Sequence, residues 1–152
     1  MSQVESRLKE LGYELPPPPA PVAAYVGAVR TGNLVFVSGQ GPSKDGKTIK
    51  GRVGSDLTLE EGQKAAELCI LNALAQVKAL VGSLDNVERV VKVLGWVNSA
   101  PDFDQQPFVI NGASELLVKV FGDKGKHARS AVSAHVLPFN IAVEIEMVVE
   151  VK

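Results

Sequence analysis

The residues best suited to chemistry lie in the last quarter of the chain, in two strand-like runs around a proline turn. Arg129 opens the first run, and Glu144 lies among valines and isoleucines in the second. A guanidinium offers a planar, bidentate fork that keeps its charge, which suits it to holding a small carboxylate. A glutamate in apolar surroundings can orient or activate water. Together these two residues predict a site for a small organic acid.

Each of these residues also has an ordinary structural explanation. An arginine at a strand end commonly forms a surface ion pair, and Glu144 and Glu146 on a strand face could be interface or solvated groups. Tyr25, at the start of a predicted strand, could merely cover a sheet edge. Residue type alone therefore leaves both the structural and the functional interpretation open.

Metal and cofactor chemistry finds little support in the sequence. His127 and His135 lie eight residues apart without a third suitably spaced ligand, so we expect no metal site. Cys69 is the only cysteine and lies between Leu68 and Ile70, which predicts a buried apolar role. There is no glycine-rich phosphate loop before a helix. We therefore expect a site that works without a cofactor.

Composition restricts the classes of partner. The 152 residues suit one domain with a substantial core, at 45% hydrophobic and 22% charged residues. The net charge of −1 disfavours a general nucleic-acid or membrane-surface binder, because phosphate binding usually requires a basic excess. No stretch approaches about 18 uninterrupted apolar residues, and the N-terminus lacks a secretory apolar region. We therefore expect a soluble, cytoplasmic protein.

The pattern of elements predicts a ββαβαββ domain at residues 22–152, preceded by an appendage at residues 1–21. The appendage combines a short amphipathic helix over residues 2–11 with an extended proline run. A capping box at Thr58–Glu61 opens a long helix that reaches about Val81. Asp102 or Asp104 is expected to cap the second domain helix, which stops at Gly122. The predicted strands cover residues 25–29, 34–37, 87–97, 130–136 and 140–151.

This order indicates a two-layer α+β fold with both helices on one face of a five-stranded sheet. In the last strand, alternate residues from Ile141 to Val151 are apolar and should pack on the helices. Glu144 and Glu146 then point to the opposite, open face. We expect Arg129 and Ala131 to share that open face, with Ser133 and His135. A second copy of the chain should cover it.

Several ordered motifs carry a resemblance over most of residues 22–151. They are Tyr25-Val26, Gly32-Asn33, Val37-Ser38-Gly39-Gln40, Asn111, Ala128-Arg129-Ser130, Leu137-Pro138 and Val143-Glu144-Ile145-Glu146. In this order and spacing they resemble the RidA/YjgF family of reactive-intermediate (enamine/imine) deaminases, formerly labelled translation inhibitors or L-PSP endoribonucleases. The proline-rich start and the Asn98–Phe103 segment resemble a divergent branch.

The resemblance implies a chorismate-mutase-like fold and a homotrimer with three clefts between subunits. It implies that Arg129 holds the substrate carboxylate and that Glu144, fifteen residues later, positions the attacking water. Tyr25, Gly39 and Asn111 correspond to other positions of the cleft. Ala131 occupies a position where the family often has a cysteine, whose reported role depends on backbone groups.

The leading hypothesis is therefore a cofactor-free hydrolytic deaminase of small 2-imino acids, such as the 2-aminoacrylate/2-iminopropanoate pair. The alternative is a non-catalytic trimer that binds 2-oxo acids or other proteins through the same arginine. A ribonuclease agrees with the family's older label, but the sequence has no evident basic groove.

Overall fold

Two long helices cover one face of a mixed five-stranded sheet in the computed structural model, which describes residues 2–152. The elements, in chain order, are α1 Gln3–Glu10, β1 Ala28–Thr31, β2 Leu34–Gln40, β3 Ser43–Lys44, β4 Lys47–Thr48, α2 Leu59–Val81, β5 Val87–Asn98, α3 Gln106–Phe121, β6 Ala128–Ala134 and β7 Val143–Val151. The sheet order is β1-β2-β7-β5-β6, in which only the β5–β6 pair is parallel. The two-layer α+β architecture and the ββαβαββ order are confirmed. The small β3–β4 hairpin lies in the connection between β2 and α2.

Local sequence determines the ends of the helices. The Thr58 hydroxyl accepts a hydrogen bond from the Glu61 N–H, while the Glu61 carboxylate accepts one from the Thr58 N–H, as the capping box predicts. The prediction that Asp102 or Asp104 caps α3 is wrong. This helix begins after Gln105 without a side-chain cap, and Pro107 occupies its first turn, where no N–H partner is required.

Several predicted strand bounds also shift. Tyr25 lies outside β1, because the paired ladder begins only at Ala28, which lies opposite Val37. At the other end of the pair, β2 has a register shift between Val37 and Gln40. The last strand begins at Val143 rather than at residue 140, because a 3₁₀ turn occupies Pro138–Asn140.

The alternation of β7 is confirmed. Its apolar residues on one side are at most 9% exposed and pack against the helices: Ile141, Val143, Ile145, Met147, Val149 and Val151. The other side carries Glu144, which is half-buried, and Glu146, which is exposed. The central position of β7 between β2 and β5 makes this alternation the basis of the core.

The predicted position of Arg129 on the open face is wrong. In the parallel ladder Arg129 pairs with Val93, and Ala131 pairs with Gly95. Val93 is fully buried under the helices, and a Cβ at Gly95 would collide with Ile110 of α3. Paired residues share a face, so Arg129, Ala131 and Ser133 lie on the helix side. His135 lies beyond the end of β6 and is exposed.

The open face of the sheet mixes apolar side chains with charged ones, among them Glu144 and Glu150. Among residues 2–152 it carries Val29, Phe36, Lys92, Leu94, Trp96, Val132, Glu146 and Val148, in register across the five strands. Phe36 is 47% exposed and Val29 is 53% exposed. A surface of this kind is typical of a protein contact.

The N-terminal helix packs against the sheet domain. Leu8 is 1% exposed within the core, and the Arg7 guanidinium donates to the Val120 carbonyl oxygen. The Asp85 carboxylate accepts hydrogen bonds from the N–H groups of Gln3 and Val4, which holds the N-terminus of α1. The proposed division of the chain at residue 21 stays a prediction. No helix within residues 2–152 is long and apolar enough to cross a membrane.

These contacts predict that α1 contributes to global stability. Leu8→Ala should cost about 2–4 kcal/mol, because it leaves a cavity beneath the helix. Thermal unfolding followed by circular dichroism should then show a midpoint lower by about 5–10 °C.

Leu11→Ala is the matched control, because Leu11 follows the same helix but is 41% exposed. Its unfolding midpoint should stay near that of the wild type. Equal midpoints for Leu8→Ala and Leu11→Ala would show that α1 is a loosely attached appendage.

Candidate functional site

Glu144 lines a cavity at the border between β2 and β7. The cavity has a volume of about 490 Å³, and Tyr25 and Gly39 also line it. A Cβ at Gly39 would lie 2.7 Å from a carboxylate oxygen of Glu144, so the carboxylate lies directly over this strand because residue 39 is glycine. The structure therefore brings together three of the predicted site residues. We call them the Glu144 cluster.

The Glu144 carboxylate is held in an unfavourable electrostatic environment. Burial raises the pKa of Glu144 above its ordinary value, and the nearby negative charge of Glu146 raises that pKa further. A raised pKa makes this carboxylate a stronger base than an exposed one, and it lies beside a cavity. This property fits a general acid–base group.

Arg129 lies in a second group of polar side chains, between β6 and α3. Its Nη1 donates to the Asn111 side-chain oxygen at 2.8 Å and to the Ser114 hydroxyl at 3.2 Å, and its Nη2 donates to the Pro107 carbonyl at 3.3 Å. Asn111 and Ser114 are three residues apart, so both lie on the face of α3 that meets β6. With His127, these residues form the Arg129 cluster.

His127 extends this hydrogen-bonded chain away from Arg129. Its Nδ1 lies 2.6 Å from the Gly125 carbonyl oxygen, which can only accept, so Nδ1 carries the proton. The Nε2 atom, 2.9 Å from the Ser114 hydroxyl, then accepts a hydrogen bond from that group. Burial lowers the pKa of His127, and the Arg129 charge lowers that pKa further. The neutral ring therefore orients Ser114 towards Arg129.

The charge of Arg129 has no carboxylate partner within residues 2–152. The three ion pairs in this part of the chain involve other residues, and the three oxygens that contact Arg129 are neutral. Burial lowers the pKa of Arg129, yet a guanidinium stays protonated. Its Nε–H makes no hydrogen bond within these residues, and Nε and Nη2 lie along one edge of the group. This edge matches a carboxylate in bidentate geometry.

The two clusters cannot meet within one chain. Glu144 faces the open side of β7, whereas Arg129 faces the helix side of β6, and β5 lies between these strands. Strands are about 4.8 Å apart, so the two backbones are separated by about 10 Å and the side chains diverge. A substrate of a few atoms cannot reach both residues of the same chain.

The other two predicted residues lie on the Arg129 side of the sheet. Asn111 holds the guanidinium of Arg129, and Ala131 packs partly buried against the core two residues further along β6. Sequence reasoning missed Ser114 and His127 as partners of Arg129. The signal lay in their spacing, because Ser114 is three residues from Asn111 on α3, and His127 comes just before β6, two residues from Arg129.

Comparisons with known proteins find similarity over nearly the whole chain. Residues 5–151 match the family model described as "YjgF/chorismate_mutase-like, putative endoribonuclease". The chain is 46% identical over 150 residues to Protein TCP17 of Trypanosoma cruzi, which covers 97% of this chain and 94% of that protein. It is 30% identical over 131 residues to Protein HMF1 of Saccharomyces cerevisiae, with 86% of each chain covered.

A crystal structure of a protein of unknown function from Agrobacterium tumefaciens is similar throughout. It has 50% sequence identity and a TM-score of 0.91, with 98% of this chain and 94% of that chain covered. The similarity therefore includes the N-terminal segment as well as residues 22–151, over which the sequence motifs are recognised.

The raised pKa of Glu144 leads to a stability prediction. A carboxyl group whose folded-state pKa exceeds its unfolded value contributes stability below the unfolded pKa, and that contribution is lost as the pH rises through the folded pKa. At neutral pH the half-buried charge is therefore a cost. Glu144→Gln should raise the unfolding midpoint at pH 7 by about 1–3 °C, since a partly solvated charge is worth less than about 1 kcal/mol.

The measurement is thermal unfolding of the variant and the wild type between pH 4 and pH 8. The difference should shrink towards pH 4, where the wild-type carboxyl group becomes protonated. Glu115→Gln on the exposed surface of α3 is the control, and its effect should be small at every pH. A lower midpoint for Glu144→Gln at pH 7 would contradict the electrostatic description.

Proposed function

The chain belongs to the YjgF/chorismate-mutase-like family, and on this basis we propose that it hydrolyses small 2-imino acids in clefts between neighbouring copies. The substrates are of the 2-aminoacrylate/2-iminopropanoate type, and the products are a 2-oxo acid and ammonia. The observation that carries the proposal is the Arg129 guanidinium, fixed by neutral oxygens with one bidentate edge free.

Arg129 binds the substrate carboxylate and orients the imine carbon. Asn111 and Ser114 hold the guanidinium from one side, so little side-chain freedom is lost when the acid binds. The same edge suits 2-oxo acids, which share the carboxylate and a planar carbon at the next position. The products and their analogues should therefore compete with the substrate.

Glu144 transfers the protons of the reaction. It takes a proton from a water molecule whose oxygen attacks the imine carbon, and it returns that proton to the imine nitrogen as the carbinolamine forms. It then carries the proton of the new hydroxyl group to the amino nitrogen. Loss of ammonia from that intermediate then leaves the 2-oxo acid, so that one water is consumed for each ammonia released. Burial keeps the pKa of Glu144 raised, which favours both directions of transfer. Tyr25, beside the same cavity, supplies a hydroxyl hydrogen bond.

A complete cleft requires two copies of the chain. The Glu144 cluster of one copy must meet the Arg129 cluster of the next, which is a head-to-tail contact that closes into a ring. A homotrimer, the usual assembly of this family, gives three such clefts. The open face of the sheet, with Phe36 and Val132 exposed, supplies the surface that the neighbouring copies bury.

One alternative function uses the same arginine. A trimer that binds 2-oxo acids without turning over imines needs the Arg129 cluster but not the proton transfers of Glu144. The carboxylate-free environment of Arg129 is equally compatible with this alternative. Faster loss of enzymatically generated 2-aminoacrylate in the presence of the protein would favour the enzyme over the binding module.

Arg129 variants test the carboxylate interaction. Arg129→Ala and Arg129→Lys should each weaken pyruvate binding at least about tenfold, or ~1.4 kcal/mol, because a compact ammonium group cannot reproduce the fork. Isothermal titration calorimetry measures the affinities.

Arg30→Lys is the matched control, since the Arg30 guanidinium also donates to backbone carbonyl groups but lies at the exposed β1 edge. Its pyruvate affinity should equal that of the wild type. Wild-type affinity in Arg129→Ala would overturn the assignment of the site.

Mixed trimers test whether the cleft lies between copies. Arg129→Ala and Glu144→Gln should each lose most imine hydrolysis alone, while light scattering still gives about 48 kDa, three times the 16.1 kDa chain. Unfolding and refolding the two variants together should restore about a quarter of wild-type activity, because that share of contacts joins two intact clusters.

The control is the same mixture combined without unfolding, which should stay inactive unless subunits exchange. A stable 16.1 kDa monomer in light scattering would contradict the assembly. Inactive mixed trimers would contradict a cleft that is shared between copies.

A further inference from the structure

A proline-rich segment crosses the cavity that Glu144 lines. Pro19, Ala20, Pro21 and Val22 form one wall of this cavity, next to Tyr25. We call residues 19–22 the strap. The strap follows α1 along the chain and reaches the Glu144 cluster from outside the sheet domain. It therefore contributes to the cleft although it belongs to neither layer of the fold.

The strap is fixed to α2 by a buried glutamine. The Gln76 Nε2 donates to the Pro19 carbonyl oxygen at 2.7 Å, and Gln76 is only 8% exposed. A Cβ at Gly27 would collide with the Gln76 side chain. The backbone at Gly27, which follows the strap in the sequence, therefore also packs closely against Gln76. Prolines restrict the backbone, which lowers the entropy lost when the strap is ordered. The wall is thus held in a defined position.

Part of the cavity wall is apolar. Besides the strap, Pro138, Phe139 and Ile141 line the cavity, together with polar residues that include Thr48, Lys50 and Gln76. Phe139 has a φ of 58°, a left-handed conformation that is unusual for a bulky side chain, and it is 72% exposed. Strain of this kind is retained at functional positions more often than elsewhere. An aromatic ring and several prolines therefore face the space beyond the carboxylate of Glu144.

A three-carbon imine is small compared with the cavity of a single copy. A cavity of about 490 Å³ lies within the range of about 300–1,000 Å³ that is typical of small-molecule sites. The only group that 2-iminopropanoate could place against the apolar wall is a methyl group. A longer hydrocarbon side chain would instead displace water from the strap and from Phe139.

We propose that the strap selects 2-imino acids, and the related 2-oxo acids, whose side chains are branched aliphatic or aromatic rather than methyl. The inference rests on the proposed function for the identity of the carboxylate-binding cleft. The size preference itself is a property of ligand binding, so it can be measured whether or not the protein hydrolyses imines.

Calorimetric titration with two 2-oxo acids of different size tests the preference. In the wild type, 4-methyl-2-oxopentanoate should bind at least tenfold more tightly than pyruvate. Gln76→Met keeps the size and helix propensity of residue 76 but removes the hydrogen bond to Pro19. The ratio of the two affinities should fall at least fivefold in this variant.

Gln63→Met is the matched control, because the Gln63 Nε2 also donates from α2 to a backbone carbonyl, that of Phe108, at 2.9 Å. Its affinity ratio should equal the wild-type ratio. Val22→Asp is a second test, since Val22 is 76% exposed and the change does not threaten folding. It should lower the ratio as well, because a charge disfavours the hydrocarbon side chain while both acids carry the same carboxylate.

Equal affinities of the wild type for the two acids would overturn the inference, as would a wild-type ratio in both Gln76→Met and Val22→Asp. A preserved size preference without hydrolysis of either imine would contradict the deaminase proposal but support the strap as a binding wall. Hydrolysis of both imines without any size preference would support the deaminase proposal but contradict the role of the strap.

Discussion

The parallel pairing of β6 with β5 is the constraint on which the arrangement of the candidate site depends. It fixes Arg129 opposite Val93, and hence on the side of the sheet that the helices cover. The same sheet directs Glu144 to the opposite side through the antiparallel pairing of β7. A shift of β6 by one residue would exchange the faces of all its side chains. The separation of the two clusters is therefore a property of strand register.

The two clusters carry opposite charges that their own chain leaves without compensation. Arg129 is surrounded by neutral acceptors, and Glu144 is repelled by Glu146 in a partly desolvated position. Such charges favour a contact in which one surface of a copy meets a different surface of the next. Electrostatics and register thus both favour contact between the Arg129 cluster of one copy and the Glu144 cluster of the next.

Sequence patterns predicted the elements better than their relations in space. The Thr58 capping box and the alternation from Ile141 to Val151 each depend on neighbours within a few residues, and both are confirmed. The face of Arg129 was predicted wrongly because both sides of β6 carry small or polar residues, so alternation alone does not identify the buried side. The start of α3 was predicted too early. The Phe103 N–H bonds to the Ala100 carbonyl oxygen, so this segment forms a turn, and neither Asp102 nor Asp104 caps the helix that follows. The hydrogen bond from Arg129 to Ser114 joins two different elements, β6 and α3, so it depends on how these elements pack and cannot be predicted from local spacing alone.

The anchoring of α1 has a consequence for the order in which the chain folds. Gln3 bonds to a residue 82 positions later, and Arg7 bonds to one 113 positions later. These N-terminal residues therefore meet their partners only after the partners have been synthesised, and closing such long loops is slow. Residues 19–22, which residues 11–18 separate from this helix, are bonded in turn to Gln76 of α2. A newly made chain can therefore complete the wall beside Glu144 only after α2 has been synthesised.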